Sequence, residues 1–282
     1  MITTQQDPAY LLGRSDQETA RLQRQAQLYG PLTRRLFIEA GVGSGMRVLD
    51  VGSGAGDVAL LVAELVGPNG HIVGVDTNAA ILDAARSRVQ AAGWTNITFS
   101  AGDIRTASLD GLFDAVVGRF VLPFVRSRVE VLQSCIGRLR PGGLVVFQEH
   151  DLPAFYRAVP ASPLVEQWRR WAFQFIEALG IDPDYAMRLY GDFGAAGLHA
   201  PQMRYEVPIG GGPDWIGYEF LPDQFRNVRD LFIQHGIATD EEMQIDTLGA
   251  RLRAEVVNNN GVFYTLPALG IWARTWSSPA VC

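Results

Sequence analysis

The sequence predicts a doubly wound α/β fold. Three observations carry this. Short apolar runs alternate with longer amphipathic stretches from residue 47 to residue 149, a glycine-rich turn joins the first run to the first stretch, and turn signals such as Pro68-Asn69-Gly70 and Pro141-Gly142-Gly143 separate later units. Strands buried on both faces read as continuous apolar runs. Strands alternating with helices require right-handed crossovers and a largely parallel sheet.

Taken in order, residues 15–40 read as helical. Ser15 can cap the start, with Glu18 completing a capping-box pattern. Leu22, Ala26, Leu28, Leu32 and Leu36 follow at roughly helical spacing. Gly30-Pro31 should divide the stretch into two helices, and Gly41 to Gly45 closes the second. Strands are expected at 47–51, 71–76, 97–101, 113–118 and 144–149, with helices at 58–66, 79–92 and 126–139 between them. Beyond Asp151 the rhythm changes. Pro153, Pro160 and Pro163 mark a connection, helices are expected at 164–179, 184–196, 215–235 and 239–256, and strands at 203–209 and at 262–276 with an interruption at Pro267. The sheet is complete only when these last strands join it, and no domain boundary is evident.

Composition narrows the function. The 282 residues are 48% hydrophobic and 19% charged, with net charge −6, which suits a globular chain and opposes a nucleic-acid or anionic-membrane partner. The densest basic pairs, Arg34-Arg35 and Arg169-Arg170, fall in helical patterns and read as solvated faces. Cys135 and Cys282 cannot make a disulfide framework or a cysteine metal site, so a reducing, cytoplasmic setting fits and no metal is expected. Residues 1–25 carry no signal-peptide core, and no apolar run is long enough to span a bilayer. A homodimer is left open.

The most informative segment is Leu49-Asp50-Val51-Gly52-Ser53-Gly54-Ala55-Gly56-Asp57, between the first strand and its helix. Its glycines permit a sharp turn and a close ligand approach to the backbone. Asp76 ends the next strand, where a carboxylate accepts from ribose hydroxyls. A dinucleotide loop would carry glycine where Asp57 stands, and Asp50 adds a second acid beside the turn. Two carboxylates disfavour a pyrophosphate and suit a ligand with an ammonium and a sulfonium, which S-adenosylmethionine has. The alternative is that Asp50 and Asp57 cap turns or the helix. Gly102-Asp103-Ile104 follows the third strand, where Asp103 could accept from an adenine amino group while Ile104 packs on the ring, although a Gly-Asp pair alone is an ordinary turn.

The ordered segments 48–56, Val75-Asp76, Gly102-Asp103, Phe113 to Val117 and Leu139-Arg140-Pro141-Gly142-Gly143 resemble the successive motifs of class I S-adenosylmethionine-dependent methyltransferases. The likeness is greatest to the small-molecule branch related to the ubiquinone-biosynthesis and type 11/25 groups. It covers about residues 46–150 and implies a Rossmann-like, seven-stranded sheet with the last strand antiparallel. It also implies a single domain, with a helical N-terminal lid at 1–45, a cofactor core at 46–150 and substrate-side helices and final strands at 151–282. In that family Gly52, Ser53 and Gly54 would line the methionine part, with Thr77 beside the ribose contact Asp76. Asp103 and Ile104 would hold adenine, and Gly118 and Arg119 would lie by the sulfonium or carboxylate end. Ser53 stands where many members carry cysteine. The N-terminal segment Tyr10 to Ser15 is similar to one that closes over the cofactor in relatives, so Tyr10 could face the sulfonium and Gln25 the methionine end. Equally, Tyr10 could be a loop residue and Gln25 a solvated helix position.

Methyl transfer from a sulfonium is an in-line displacement, so alignment and exclusion of water do most of the work. An oxygen or nitrogen acceptor can also need a base. A carbon acceptor would need a carboxylate or aromatic faces near the cation it leaves. Glu149, His150 and Asp151 follow the fifth strand, at the sheet end where ligands bind. His150 or Glu149 is the candidate base; a capping or salt-linked cluster is the alternative. Adjacent strand residues point to opposite faces, so the trio is no metal signature, and His199 and His235 read as structural. Trp168, Trp171, Phe173, Phe175, Trp215, Tyr218, Phe220 and Phe225 should mostly be core, with a minority lining an apolar pocket for a hydrophobic or aromatic small molecule. Two other readings remain: a cofactor-binding enzyme that does not methylate, such as a cyclase, and a nicotinamide-dependent oxidoreductase.

Overall fold

The computed structural model describes residues 16–276, which divide into two compact units. The larger comprises Tyr29–His150, Tyr185–Glu206 and the chain from Ala268. It is built on α1 (Asp16–Ala40, from Tyr29 onward), β1 (Arg47–Val51), α2 (Asp57–Val66), β2 (His71–Asp76), α3 (Ala79–Ala91), β3 (Ile97–Ala101), β4 (Phe113–Arg119), α4 (Arg128–Ile136), β5 (Leu139–His150), α6 (Tyr185–Ala196), β7 (Gln202–Glu206) and β10 (Ala268–Arg274). The remaining elements belong to the smaller unit.

The large sheet has seven strands in the order β3-β2-β1-β4-β5-β10-β7. Strands β1 to β5 pair in parallel, and β10 runs antiparallel to both β5 and β7. The strand order reverses between β1 and β4, and in open α/β sheets such a switch point marks the ligand crevice beyond the carboxyl ends. Successive residues face opposite sides. Leu49, Val116, Val145 and Phe147 therefore join a core with Leu132 and Phe193 on one face, while Val48, Val117 and Val146 join Leu36, Phe37 and Val62 on the other.

The first helix is continuous through Pro31, not divided as the Gly30-Pro31 pair suggested. A mid-helix proline costs about 3 kcal/mol. Burial of Tyr29, Leu32, Leu36 and Phe37 offsets it, since each fully buried large apolar side chain contributes about 1.5–3 kcal/mol. Strand β5 begins at Leu139, ahead of the expected start, because Pro141-Gly142-Gly143 is absorbed where the β4–β5 register shifts between Phe113 and Ala115.

The smaller unit contains the three-stranded sheet β6-β9-β8, formed by Arg157–Val159, Val262–Tyr264 and Ile209–Gly210. The expected strand 203–209 is thus two strands in different sheets, and so is 262–276. Around this sheet lie α5 (Pro163–Ala178), α7 (Gly217–Arg226), α8 (Arg229–Gln234), α9 (Asp240–Met243) and α10 (Ile245–Asn258). Two expected helices, 215–235 and 239–256, are each divided, the second at Gln244, whose φ of 43° ends α9. Aromatic rings fill this core: Trp168 and Phe225 have centroids 5.2 Å apart, and Phe175 and Phe232 4.6 Å. Asp223 is buried but bonded by Arg24 at 2.5 and 2.7 Å and by Arg226 at 2.8 Å, which offsets its desolvation. Among the described residues no helix is long and apolar enough to cross a membrane.

Candidate functional site

The carboxyl ends of β1 to β3 carry the glycine turn and two acids, and the turn is built from below. Asp50 is fully buried and accepts from the Ser53 hydroxyl at 2.7 Å. Burial pushes its carboxyl up to about 7, against the opposing pull of the Ser53 bond and the Arg119 charge. Gly52 and Ser53 donate their N–H groups to the Val75 carbonyl, tying the turn to β2. Gly52, Gly54 and Gly56 all have positive φ. They differ in why glycine is needed. A Cβ at Gly52 would strike Val121 at 2.5 Å, and one at Gly56 would press on Ala85 and Phe99. Over Gly54 nothing lies within 4 Å, so the backbone there is open to a ligand.

Asp76 binds this turn to the next. Its Oδ2 accepts from Gly54 N–H at 2.9 Å and its Oδ1 from Asn78 N–H at 2.8 Å. Each carboxylate oxygen has further acceptor capacity, which two adjacent ribose hydroxyls would use. Thr77 next to it is exposed. Asp103 ends the β3 turn, clamped by the Arg105 guanidinium, which holds its carboxyl below the usual range; Ile104 is buried. The donor set fits a nucleoside: an open glycine backbone, a ribose-type carboxylate and an apolar Ile104.

One part of the charge argument changes. Asp57 opens α2 but pairs with Arg88 at 2.7 Å, and Asp50 is sealed beneath the turn. Neither presents open negative charge at the turn. What the glycine backbone and Asp76 define is a nucleoside site; these two acids do not decide between ligands with and without phosphates, and Asp50 acts through Ser53.

The ends of β4 and β5 supply side chains instead. In the β4–β5 register Arg119 lies opposite Gln148, on the face where Asp50 also sits. Arg119 is buried, which lowers its guanidinium from the usual range although Asp57 and Asp50 counter this. Its Nη1 donates to Thr33 Oγ1 at 3.3 Å, and Thr33 Oγ1 lies 2.6 Å from Gln148 Oε1. Gly118 leaves the space that the Phe147 ring fills. His150 is stacked on Phe120, with centroids 3.6 Å apart and planes 14° apart, and meets Tyr29 edge-on at 5.0 Å. Glu149 points to the opposite face, where Oε1 accepts from Val121 N–H and Leu122 N–H, both at 3.1 Å. Burial raises its carboxyl to about 8 despite these bonds, a bond from Tyr185 and the charge of Arg128.

The geometry thus brings Gly52, Ser53, Gly54 and Asp76 together, and separately Arg119 and His150. It places Glu149 and His150 on opposite faces, and Asp151 is buried next to His150 in sequence. Gln25 is buried and accepts from Arg21 at 2.9 Å. Tyr10 lies outside the described residues. Thr33, Tyr29, Gln148 and Phe120 were not among the residues expected from sequence, and the polar Gln148 directly after Val145-Val146-Phe147 was the available signal.

Comparison with known proteins shows the family and the fold. A family model described as a methyltransferase domain matches residues 43–188, just over half of the chain. The ubiquinone/menaquinone biosynthesis C-methyltransferase UbiE of Coxiella burnetii is 34% identical over 139 residues, covering 49% of this chain and 53% of that protein. The chain spans about half the length of the curated relatives it matches. Among solved structures, YcgJ of Bacillus subtilis has a TM-score of 0.53 at 20% identity, covering 88% of this chain and 98% of its own. The [4+2]-cyclase SpnF has a TM-score of 0.52 at 19% identity, covering 88% and 81%. At these identities the structural likeness shows the fold.

Proposed function

The chain belongs to the methyltransferase-domain family, and on that premise we propose that it moves a methyl group from S-adenosylmethionine to a hydrophobic or aromatic small molecule, in quinone-type biosynthesis or natural-product metabolism. The observation that carries the reading is the pairing of Asp76 with the open backbone at Gly54, at 2.9 Å. S-adenosylmethionine supplies an electrophilic methyl group on a sulfonium when bound.

The chain's residues divide that work. Gly52, Ser53 and Gly54 receive the methionine part, held in shape by Asp50 and, at the start of α2, by Asp57. Asp76 and Thr77 take the ribose, and Asp103 and Ile104 the adenine. Gly118 and Arg119 border the amino-acid end. Arg119 suits a carboxylate, since a buried guanidinium gains most from a charged partner. His150 is the better of the two candidate bases. Burial raises the Glu149 carboxyl to about 8 and it is engaged with the Val121 and Leu122 backbone, while His150 sits in an aromatic setting on the other face. We place the chain in the cytoplasm, where the buried free thiol of Cys135 would stay reduced, and treat residues 1–282 as one functional domain.

Calorimetry with S-adenosylmethionine tests the site. Asp76→Ala should weaken binding about 10- to 100-fold, the range for a lost charged hydrogen bond of about 1.5–3 kcal/mol; unchanged affinity removes the ribose assignment. Mass spectrometry of products tests the reaction. Added methyl mass with S-adenosylhomocysteine supports transfer, and turnover with neither points to a non-methylating, cyclase-type enzyme.

A further inference from the structure

Phe120 follows β4 in a conformation that a bulky side chain rarely takes. Its φ is 59°, in the left-handed region. Its backbone still extends the sheet, because Phe120 N–H donates to the Gln148 carbonyl at 2.8 Å. The left-handed turn therefore does not end the strand pairing. Its consequence is for the ring, which lies flat on the His150 imidazole at 3.6 Å and edge-on to Tyr29 at 5.2 Å. Tyr29 meets His150 edge-on as well, at 72° between planes. A flat contact on one side and an edge contact on another leave the imidazole one plane. Strained backbone persists where the surrounding structure over-determines it, and such sites cluster where geometry matters for function.

Resting on the reading of His150 as the base, we propose that Phe120 is a positioning residue: its left-handed backbone sets a ring against His150 that fixes the imidazole plane for proton transfer from an aromatic hydroxyl acceptor. Phe120 does not itself touch the reacting atoms in this role. It shortens the search for a productive angle, and alignment of a base with its proton is a large part of what such a base contributes. Of the charged groups nearby, the Arg119 guanidinium lies 5.7 Å from the Phe120 ring, Asp151 adjoins His150 in sequence, and Glu149 faces the other side.

The test uses the full chain saturated with S-adenosylmethionine and reads the ring nitrogens of His150 by two-bond ¹H–¹⁵N correlation. Wild type should show one ordered ring pattern. Phe120→Gly suits the left-handed backbone and removes only the ring, so the fold should hold while the His150 pattern becomes averaged. Phe120→Asn, which also tolerates this φ, provides a second variant should the glycine protein be poorly folded. Phe120→Trp should restore the ordered pattern. With 1,4-naphthohydroquinone as the acceptor probe, kcat should fall about tenfold or more in Phe120→Gly, with KM for the cofactor unchanged. An unchanged His150 pattern in both ring-less variants overturns the positioning role. An ordered pattern lost in Phe120→Gly, together with full turnover in His150→Ala, retires the base assignment instead and takes the catalytic purpose of Phe120 with it.

Discussion

The ends of β1 to β3 and the ends of β4 and β5 are built by different means within the same sheet. In the first region contacts are local and mostly involve backbone: Asp50 and Ser53 are three residues apart, and Gly54 and Asp76 are 22 apart. In the second they are side-chain contacts between distant segments, with Thr33 and Gln148 separated by 115 residues and Arg119 and Thr33 by 86. A turn made of glycines and one carboxylate can recur with many acceptor chemistries. A cluster that needs α1, β4 and β5 at once depends on side chains from distant segments, and specificity is expected to reside there.

The largest effect that separates the two regions should come from His150→Ala. If the second region carries the chemistry, kcat should fall about 10²- to 10⁴-fold, the range for loss of a positioned base. S-adenosylmethionine affinity, to which His150 is assigned no contact, should be unchanged by calorimetry. Near-normal turnover would leave His150 as a ring in an aromatic cluster and break the division of labour.

Glu149 gives the next largest effect, and its sign can be worked out. Its carboxyl is raised from 4.5 to about 8 by burial, so the unfolded chain releases this proton at a lower pH than the folded chain does. Its contribution to stability is full below about pH 4.5 and is lost as pH rises toward 8. Asp50, raised from 3.8 to about 7, acts in the same direction. The thermal midpoint of the ligand-free protein should therefore fall between pH 5 and pH 8. Glu149→Gln, which still accepts from Val121 and Leu122, should flatten part of that fall, by about 3–8 °C at pH 8. Parallel pH profiles for the two proteins would show that Glu149 is ionised in the fold.

The same contrast explains what could be read from sequence. Strands β1 to β4 and the turn at 52–56 were legible nearly to the residue, because parallel strands are unbroken apolar runs and glycines punctuate their ends. Pro31 misled because tertiary burial of Tyr29, Leu36 and Phe37 outweighs a local preference. The strands β6, β8 and β9 are two or three residues long, too short for any periodicity to register. Asp57 was legible as an acid, but its partner Arg88, 31 residues on, was not. Phe120 has no sequence signal, since a left-handed phenylalanine is imposed by its surroundings. Of the second region His150, Glu149 and Asp151 stood out at the end of a strand, Gly118 and Arg119 entered only through the family resemblance, and the helix residue Thr33 that joins Arg119 to Gln148 did not stand out.

Thr33 sharpens the comparison with the smallest change. Its hydroxyl is buried, lies 2.6 Å from Gln148 Oε1 and 2.9 Å from the Tyr29 carbonyl oxygen, and accepts from Arg119. Thr33→Val keeps the shape and removes every one of these bonds, leaving Gln148 and Arg119 short of partners in a desolvated layer. The expected loss is about 1–3 kcal/mol in chemical denaturation. Thr33→Ser, which keeps the hydroxyl, should recover most of it. Calorimetry then separates two roles. If the network aims Arg119 at a carboxylate of the cofactor, Thr33→Val should also weaken S-adenosylmethionine binding several-fold, and Thr33→Ser should restore it. Lost stability with unchanged affinity would make the network a brace between α1 and the sheet, with Arg119 positioned by the strand alone.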